Sequence, residues 1–390
     1  MALPQPHMNP NDNDGSNQPP LSAVTDTKKA DAKIKILVIQ QKMIGDVLAS
    51  TIICESLKKK YPKAQIDYVI NENTKPVVLG NPYIDNIIEF KTEYKDSKSA
   101  FFKFLKNIRN SDYDIVIDAY GKLESNLITI FSGASEKVSY QKWYTSFLYD
   151  NTITPAKEPY TRAGVALENR LRLVYPEYLI ESKVIPPQIY LSKEEKNNAI
   201  NFLKSQGIKL TKPLVMIGVL GSEESKTLPF AYMARVIDEI VNTLDATILF
   251  NYIPNQVSDA RKIYDLTSEK SKENILFDVY AKSLRDFLGI LSQCDILVGN
   301  EGGAVNMAKA LDKSTFTFFS PWIVKSAWNM FEDGKTRDSV HLKDFKPELF
   351  KNKTTKEIKK EAFHLYQKFT PDLYLERLRE FLQPFKTRGF

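Results

Sequence analysis

Ile34-Lys35-Ile36-Leu37-Val38-Ile39 runs into the turn Lys42-Met43-Ile44-Gly45-Asp46, after which Val47, Leu48, Ile52 and Leu57 recur at helical spacing up to Lys58-Lys59-Lys60-Tyr61-Pro62. The short apolar run, rich in β-branched residues, reads as a strand buried on both faces; the periodic stretch reads as a helix closed by lysines and a proline. Strand, glycine turn and helix together make a βα unit. The N-terminus of such a helix offers unpaired N–H groups and a partial positive charge to an anion. Asp46 stands at that mouth, where a carboxylate can cap the helix or accept a proton. The GxGxxG spacing is absent, so a standard dinucleotide fingerprint is not supported.

The same grammar returns late in the chain. Cys294-Asp295-Ile296-Leu297-Val298 is a second short apolar strand, Gly299-Asn300-Glu301-Gly302-Gly303 a second glycine turn, and Ala304 to Leu311 a run of good helix formers. Adjacent Gly302 and Gly303 let a ligand approach the backbone where helix N–H groups are free, which suits a phosphate or pyrophosphate. An ordinary βα turn that uses glycine for its shape has the same appearance. Taken together, the two turns imply two α/β halves sharing one cleft.

Between and after them strands and helices alternate. Gln65 to Ile70, Ile84 to Phe90 and Asp114 to Asp118 read as strands, with helices near Thr74 to Leu79 and Ser97 to Asn110. Pro186-Pro187, a charged helix from Lys193 and Gly207 suggest a bridge over 186–212. The pattern then restarts: strand Leu214 to Leu220, loop Gly221 to Pro229, helix Phe230 to Leu244, strand Ala246 to Phe250, a polar loop through Pro254-Asn255-Gln256 and a helix to Leu266. A helix from Leu284 to Leu291 precedes the second turn and the strand Ser314 to Phe319 follows it. Repeated βα units imply mostly parallel sheets with right-handed crossovers and ligands at the C-terminal ends of the strands. The expected domains are a disordered tail over 1–32, rich in Asn, Asp, Pro, Gln and Ser, a Rossmann-like unit over 33–185, the linker, a second such unit over 213–343 and a helical tail over 344–390.

With 390 residues and 43% hydrophobic content, the chain has enough apolar material for two substantial cores. No stretch approaches the roughly 18 apolar residues of a spanning helix, which predicts a cytoplasmic protein. Cys54 and Cys294 lie in apolar surroundings and read as reduced core thiols; three scattered histidines support neither a metal cluster nor a Ser-His-Asp triad. Of the net charge of +6, much is local: residues 343–390 carry twelve Lys/Arg against seven Asp/Glu. That favours acidic small molecules or an anionic membrane surface over nucleic acid.

The run Ile36 to Leu57 with Gly45-Asp46, Asn81-Pro82-Tyr83-Ile84-Asp85, Lys226-Thr227-Leu228-Pro229, and Gly299 to Leu311 followed by Phe319-Ser320-Pro321 resemble, in order and spacing, glycosyltransferase family nine, the heptosyltransferase-like enzymes. The resemblance implies the GT-B fold and a metal-independent, cofactor-free, inverting transfer of a sugar from a nucleotide-sugar donor to a lipid-linked saccharide, typically of the lipopolysaccharide core. It implies a general base at Asp46, with Gly45 and Lys42 in the acceptor-side loop. On the donor side it implies Lys226 facing the phosphates, Gly302 and Gly303 holding the pyrophosphate, and Glu301, Asn306, Gln256 and Ser222 around the nucleotide sugar. The chain departs from the family pattern at two places. Heptosyltransferases usually carry Asp-Thr-Gly with a histidine three residues later, where Glu301-Gly302-Gly303 and Asn306 stand here, and Gln256 replaces an acidic residue near the donor ribose. The identity of the donor is therefore open, and an epimerase or hydrolase of the same architecture, or a silent binding partner, are alternative readings.

On the acceptor side, Lys98, Phe101, Phe102, Lys103, Phe104, Lys106 and Arg109 interleave aromatics with cations, and Trp143, Tyr144, Phe147, Leu148 and Tyr149 follow. This mixture suits peripheral contact with the inner face of a membrane, although Phe101, Leu105 and Ile108 equally form a core face beneath solvated cations. Thr354 to Phe369 reads as an amphipathic basic helix, and a final helix crossing back to the first domain is expected by analogy with other GT-B proteins.

Overall fold

The computed structural model describes residues 34–176 and 184–386. The expected tail over 1–32 lies outside them.

The first half begins with β1 (Lys35–Gln40), α1 (Ile44–Lys60), β2 (Gln65–Asn71), β3 (Asn86–Phe90) and α2 (Lys98–Arg109). It continues through β4 (Ile115–Asp118), α3 (Leu123–Ser132), β5 (Glu136–Tyr140), β6 (Asn151–Ile153) and α4 (Val165–Arg172). Its six strands lie in the order β3-β2-β1-β4-β5-β6, with every pairing parallel. The chain order reverses between β1 and β4, so a crevice opens at the C-terminal ends of those two strands. β1 and β4 are buried along nearly their whole length, as the unbroken apolar runs required.

A helix α5 (Lys193–Ser205) then leads into β7 (Leu214–Gly218), α6 (Phe230–Thr243), β8 (Thr247–Asn251), α7 (Val257–Asp265) and α8 (Leu284–Gln293). After these come β9 (Ile296–Asn300), α9 (Gly303–Ala310), β10 (Ser314–Phe319), β11 (Arg337–His341), α10 (Thr355–Lys360), α11 (Ala362–Lys368) and α12 (Leu375–Lys386). The second sheet is also parallel, ordered β11-β10-β9-β7-β8, with its switch point between β7 and β9. The two βα turns read from the sequence thus stand at the two switch points. One apolar cluster joins the halves, running from Ile36, Val47 and Leu48 to Val305, Met307 and Ala308, and α1 packs directly on α9.

Several expectations need correction. The segment near Thr74 is a 3₁₀ turn (Glu72–Val77), because Pro76 has no N–H to continue an α-helix. The 186–212 segment does more than link: α5 packs along α8, and Leu203 joins the core. Thr354 to Phe369 forms two short helices that meet at Glu361. The last helix does not cross to the first half. Leu378, Phe381 and Leu382 of α12 are buried against the second sheet's own core, where Phe316 lies 5.4 Å from Phe381, and α12 packs on α6. Cys54 and Cys294 are buried free thiols, and burial pushes the Cys294 thiol up to about 12.

Candidate functional site

The two glycine turns meet across the cleft. Neither α1 nor α9 has a side-chain cap, so both bring free backbone N–H groups to the same opening. Gly45 stands close to the facing helix: a Cβ there would lie 3.0 Å from Asn306 Nδ2, and that amide would have to give by a few tenths of an ångström. Gly302 is required by its backbone, since φ 153° and ψ −162° belong to a region essentially reserved for glycine. Gly303 is exposed, so the backbone between them is open to a ligand. Two helix N-termini converging on one space form a pocket of positive potential that an anion relieves.

Asp46 lies in the first turn of α1 and is buried. Its Oδ1 is 3.1 Å from Arg170 Nη2 and 3.6 Å from Lys42 Nζ. Arg170 comes from α4 and is itself buried. Its Nε donates to Ser50 Oγ at 2.8 Å, and its Nη1 donates to the Ala166 carbonyl at 2.6 Å. Sequence reading missed Arg170 because nothing within Val165-Ala166-Leu167-Glu168-Asn169-Arg170 marks one cation as buried. The available signal was Leu167 and Leu171 at helical spacing, which turn this helix toward α1. Beneath the turn, both polar atoms of the Gln41 side chain are buried without a protein partner and remain available to a ligand or water.

On the opposite wall, Lys226 Nζ lies 3.2 Å from Glu301 Oε1, an ion pair whose angle does not make a hydrogen bond. The lysine also sits over the Trp322 ring at 5.3 Å. Its loop is stitched down from several sides. Asn300 donates to the carbonyls of Gly218 and Val219 and accepts from Leu228 N–H at 2.8 Å. Ser320 Oγ and Trp322 Nε1 both donate to the Ser225 carbonyl. Gln256 has a structural part here: its amide donates to the Gly221 carbonyl at 2.9 Å and accepts from Ile253 N–H, which occupies both ends. Ser222 is exposed at the loop's tip. Sequence reading picked out Lys226 and Glu301; Asn300 and Trp322 were missed as the residues that hold them.

A cavity of about 410 Å³ opens beside α9, lined by Met216, Phe250, Tyr252, Tyr280 and Phe287, with Ile44 and Met307 at its edge. Its size and mainly apolar walls suit a small flat ligand. On the first half's side, Asp118 is fully buried at the end of β4. It accepts from Tyr149 Oη and from the N–H groups of Tyr120 and Gly121, and burial holds its carboxyl above the usual range. Tyr149 is therefore a buried network residue and not a surface aromatic.

A model of glycosyltransferase family 9 (heptosyltransferase) matches residues 101–325, more than half of the chain and including the whole second turn. The chain belongs to glycosyltransferase family 9. Among family relatives, it is 24% identical over 304 residues to lipopolysaccharide heptosyltransferase 1 of Campylobacter coli, covering 73% of this chain and 84% of that one. It is 21% identical over 300 residues to lipopolysaccharide heptosyltransferase 2 of Salmonella typhimurium, covering 74% and 83%. The fold matches a family 9 glycosyl transferase from Veillonella parvula with a TM-score of 0.70 at 17% identity, over 86% of this chain and 98% of that one. It also matches ADP-heptose lps heptosyltransferase II of E. coli at 0.65 and 16% identity, over 86% and 99%. This family 9 chain therefore has the GT-B arrangement that its two parallel sheets and shared cleft describe, and it is a glycosyltransferase.

Proposed function

We propose that the protein transfers a sugar, with inversion, from a nucleotide-sugar donor to a lipid-linked saccharide in lipopolysaccharide or related envelope synthesis. The observation that carries this reading is the facing pair of uncapped helix ends, with a buried carboxylate on one wall and an anchored lysine on the other. In the proposed mechanism the base of the donor enters the apolar cavity beside α9. The diphosphate lies against Gly302, Gly303 and Lys226, whose fixed charge offsets the charge developing on the departing nucleotide. Asp46 accepts the proton of the acceptor hydroxyl as that oxygen attacks the anomeric carbon, and Arg170 holds the carboxylate in place. Asn306 and Gln256 leave the donor's base and sugar open. Family membership favours transfer over the epimerase, hydrolase and silent-partner readings.

The test is a calorimetric screen against ADP, GDP, UDP, CMP and dTDP with their sugars, followed by a transfer assay on lipid-linked acceptor. Selective binding of one nucleotide that Lys226→Ala abolishes supports the donor cleft. Absence of binding to every one would defeat the reading.

Peripheral membrane contact is part of the proposal. Among the described residues no helix is long and apolar enough to cross a membrane. Trp143 is 92% exposed and Phe147 81%; Leu123, at the start of α3, and Met43, on the first turn, are exposed as well. Lys142 Nζ donates to the Gly121 carbonyl and so ties the two aromatic-bearing loops together. Phe102 and Phe131, 6.2 Å apart, extend the apolar surface along α2 and α3. Phe104, Leu105 and Ile108 are instead core residues, so only part of the α2 stripe faces outward. Aromatics ringed by lysines suit the interface of an anionic bilayer. Trp143→Ser/Phe147→Ser should weaken co-flotation with phosphatidylglycerol-containing vesicles roughly tenfold or more, from the apolar area withdrawn, with nucleotide binding unchanged. Undiminished flotation would exclude this surface.

A further inference from the structure

The chain beyond β11 reaches the wall that carries Lys226 through one side chain. Helix α10 is set by its own cap and by its packing: Glu357 accepts from the Thr354 N–H and Oγ1, each at 2.7 Å, and Ile358 lies against the core of the second half. The next residue, Lys359, reaches back to the loop before α6. Its Nζ donates to Glu223 Oε1 at 3.0 Å and lies 4.2 Å from the centre of the Trp322 ring. Lys226 Nζ lies 5.3 Å from the centre of the same ring. The two ammonium groups therefore stand less than about 10 Å apart, within the Debye length at 0.1 M salt.

Glu223 is tied into the loop as well as to Lys359. Its Oε1 also accepts from Ser225 Oγ at 2.9 Å, and its backbone carbonyl accepts from Thr227 Oγ1 at 3.0 Å. The Lys359 ammonium first, and the Ser225 hydroxyl after it, hold the Glu223 carboxyl below the usual carboxylate range.

Lys359 and Glu223 are each 45% exposed. A pair so open to water adds little to stability, and α10 already has a cap and a buried side chain to hold it. The pair's larger effect is on local charge. Lys226 faces Glu301 at 3.2 Å and has Glu223 three residues before it in the chain. With Glu223 unpaired, one lysine would stand among two carboxylates, and a diphosphate approaching Lys226 would meet surplus negative charge. With Lys359 in place, the four groups balance. Glu224 is exposed and has no ion pair among the described residues, so it contributes the same field in either case.

We propose that Lys359 is a positioning residue of the donor site: by engaging Glu223 it cancels that carboxylate beside Lys226 and leaves the Lys226 charge to the donor's diphosphate. The assignment rests on the transferase reading given above. It brings the C-terminal tail of the second half into donor binding.

Calorimetric titration with ADP, GDP, UDP and dTDP tests it on the full-length wild type, Lys359→Met, Glu223→Gln and the double variant. Methionine keeps an unbranched stem beside Trp322, glutamine keeps an oxygen for Ser225, and thermal melts confirm that each variant folds. For the nucleotide that wild type binds, Lys359→Met should weaken affinity about tenfold at about 0.05 M salt, from one uncancelled charge acting on a diphosphate at this range. Glu223→Gln should tighten binding, and the double variant should return to within about threefold of wild type, since the charge is again balanced. The Lys359→Met deficit should shrink at about 0.5 M salt and appear in donor KM with kcat unchanged, which loss of a merely structural tie would not produce. Lys359→Met binding as tightly as wild type overturns the proposal. A double variant that stays as weak as Lys359→Met overturns it too, because Lys359 would then act by touching the phosphates or by packing. If wild type binds none of the four diphosphates, the diphosphate site of the transferase reading fails and the proposal falls with it; wild-type binding that Lys359→Met leaves intact strikes the proposal alone.

Discussion

Asp46→Asn is expected to lower kcat by about 10²–10⁴-fold, the usual contribution of a positioned general base, and to leave nucleotide affinity unchanged. Asparagine keeps the side chain's volume and an oxygen that can accept from Arg170, so the turn survives while the proton acceptor is lost. A loss in kcat with no change in donor binding is the signature of a group that acts only in the transition state. The competing role is a carboxylate in the first turn of α1, stabilising the helix end. That role is worth about 0.3–1 kcal/mol of stability and nothing in kcat. Single-turnover kinetics on the variant separate the two, and a kcat within about threefold of wild type, far below the contribution of a base, would remove Asp46 from the chemistry.

The features that the sequence made legible share a physical character. β1, β4, β7 and β9 are central strands buried on both faces, so their codes are continuous apolar runs that need no partner to be recognised. β5, β6 and β11 were not found. β6 and β11 are edge strands, and Glu136-Lys137-Val138-Ser139-Tyr140, Asn151-Thr152-Ile153 and Arg337 to His341 carry polar residues throughout. Their strand character comes from pairing with a neighbour and not from local propensity. The same division holds in the site. Gly45, Asp46, Lys226 and Gly302 sit on turns whose local pattern announces them, although their catalytic and binding roles rest on the proposal. Arg170, Asn300 and Trp322 act on residues far away in the chain, and only the folded arrangement brings them there. The direction of α12 was misjudged for a related reason: its apolar stripe specifies burial but not which half supplies the surface.

Arg170→Met should be among the most damaging substitutions in the first half. It removes one member of a buried ion pair and leaves Asp46 in a site with only Lys42, at 3.6 Å and half exposed, as countercharge. Breaking such a pair from one side costs about 3–5 kcal/mol, because the remaining charge stays desolvated. Two further hydrogen bonds are lost with the guanidinium: that from Nε to Ser50 Oγ, which ties α4 to α1, and that from Nη1 to the Ala166 carbonyl within α4. The Asp46→Asn/Arg170→Met double variant should be less destabilised than the sum of the singles, with a coupling of about 0.5–3 kcal/mol, because no charge is then left buried. Chemical denaturation of the four proteins measures this cycle. Additive effects would mean that the two groups do not interact across the 3.1 Å seen here, and Arg170 would then be a structural tie between two helices with no part in positioning the carboxylate. Arg170→Lys sharpens the distinction. An ammonium keeps the charge but cannot serve Asp46, Ser50 and Ala166 at once as the planar fork does. If positioning matters, the lysine variant should recover most of the stability and little of the turnover.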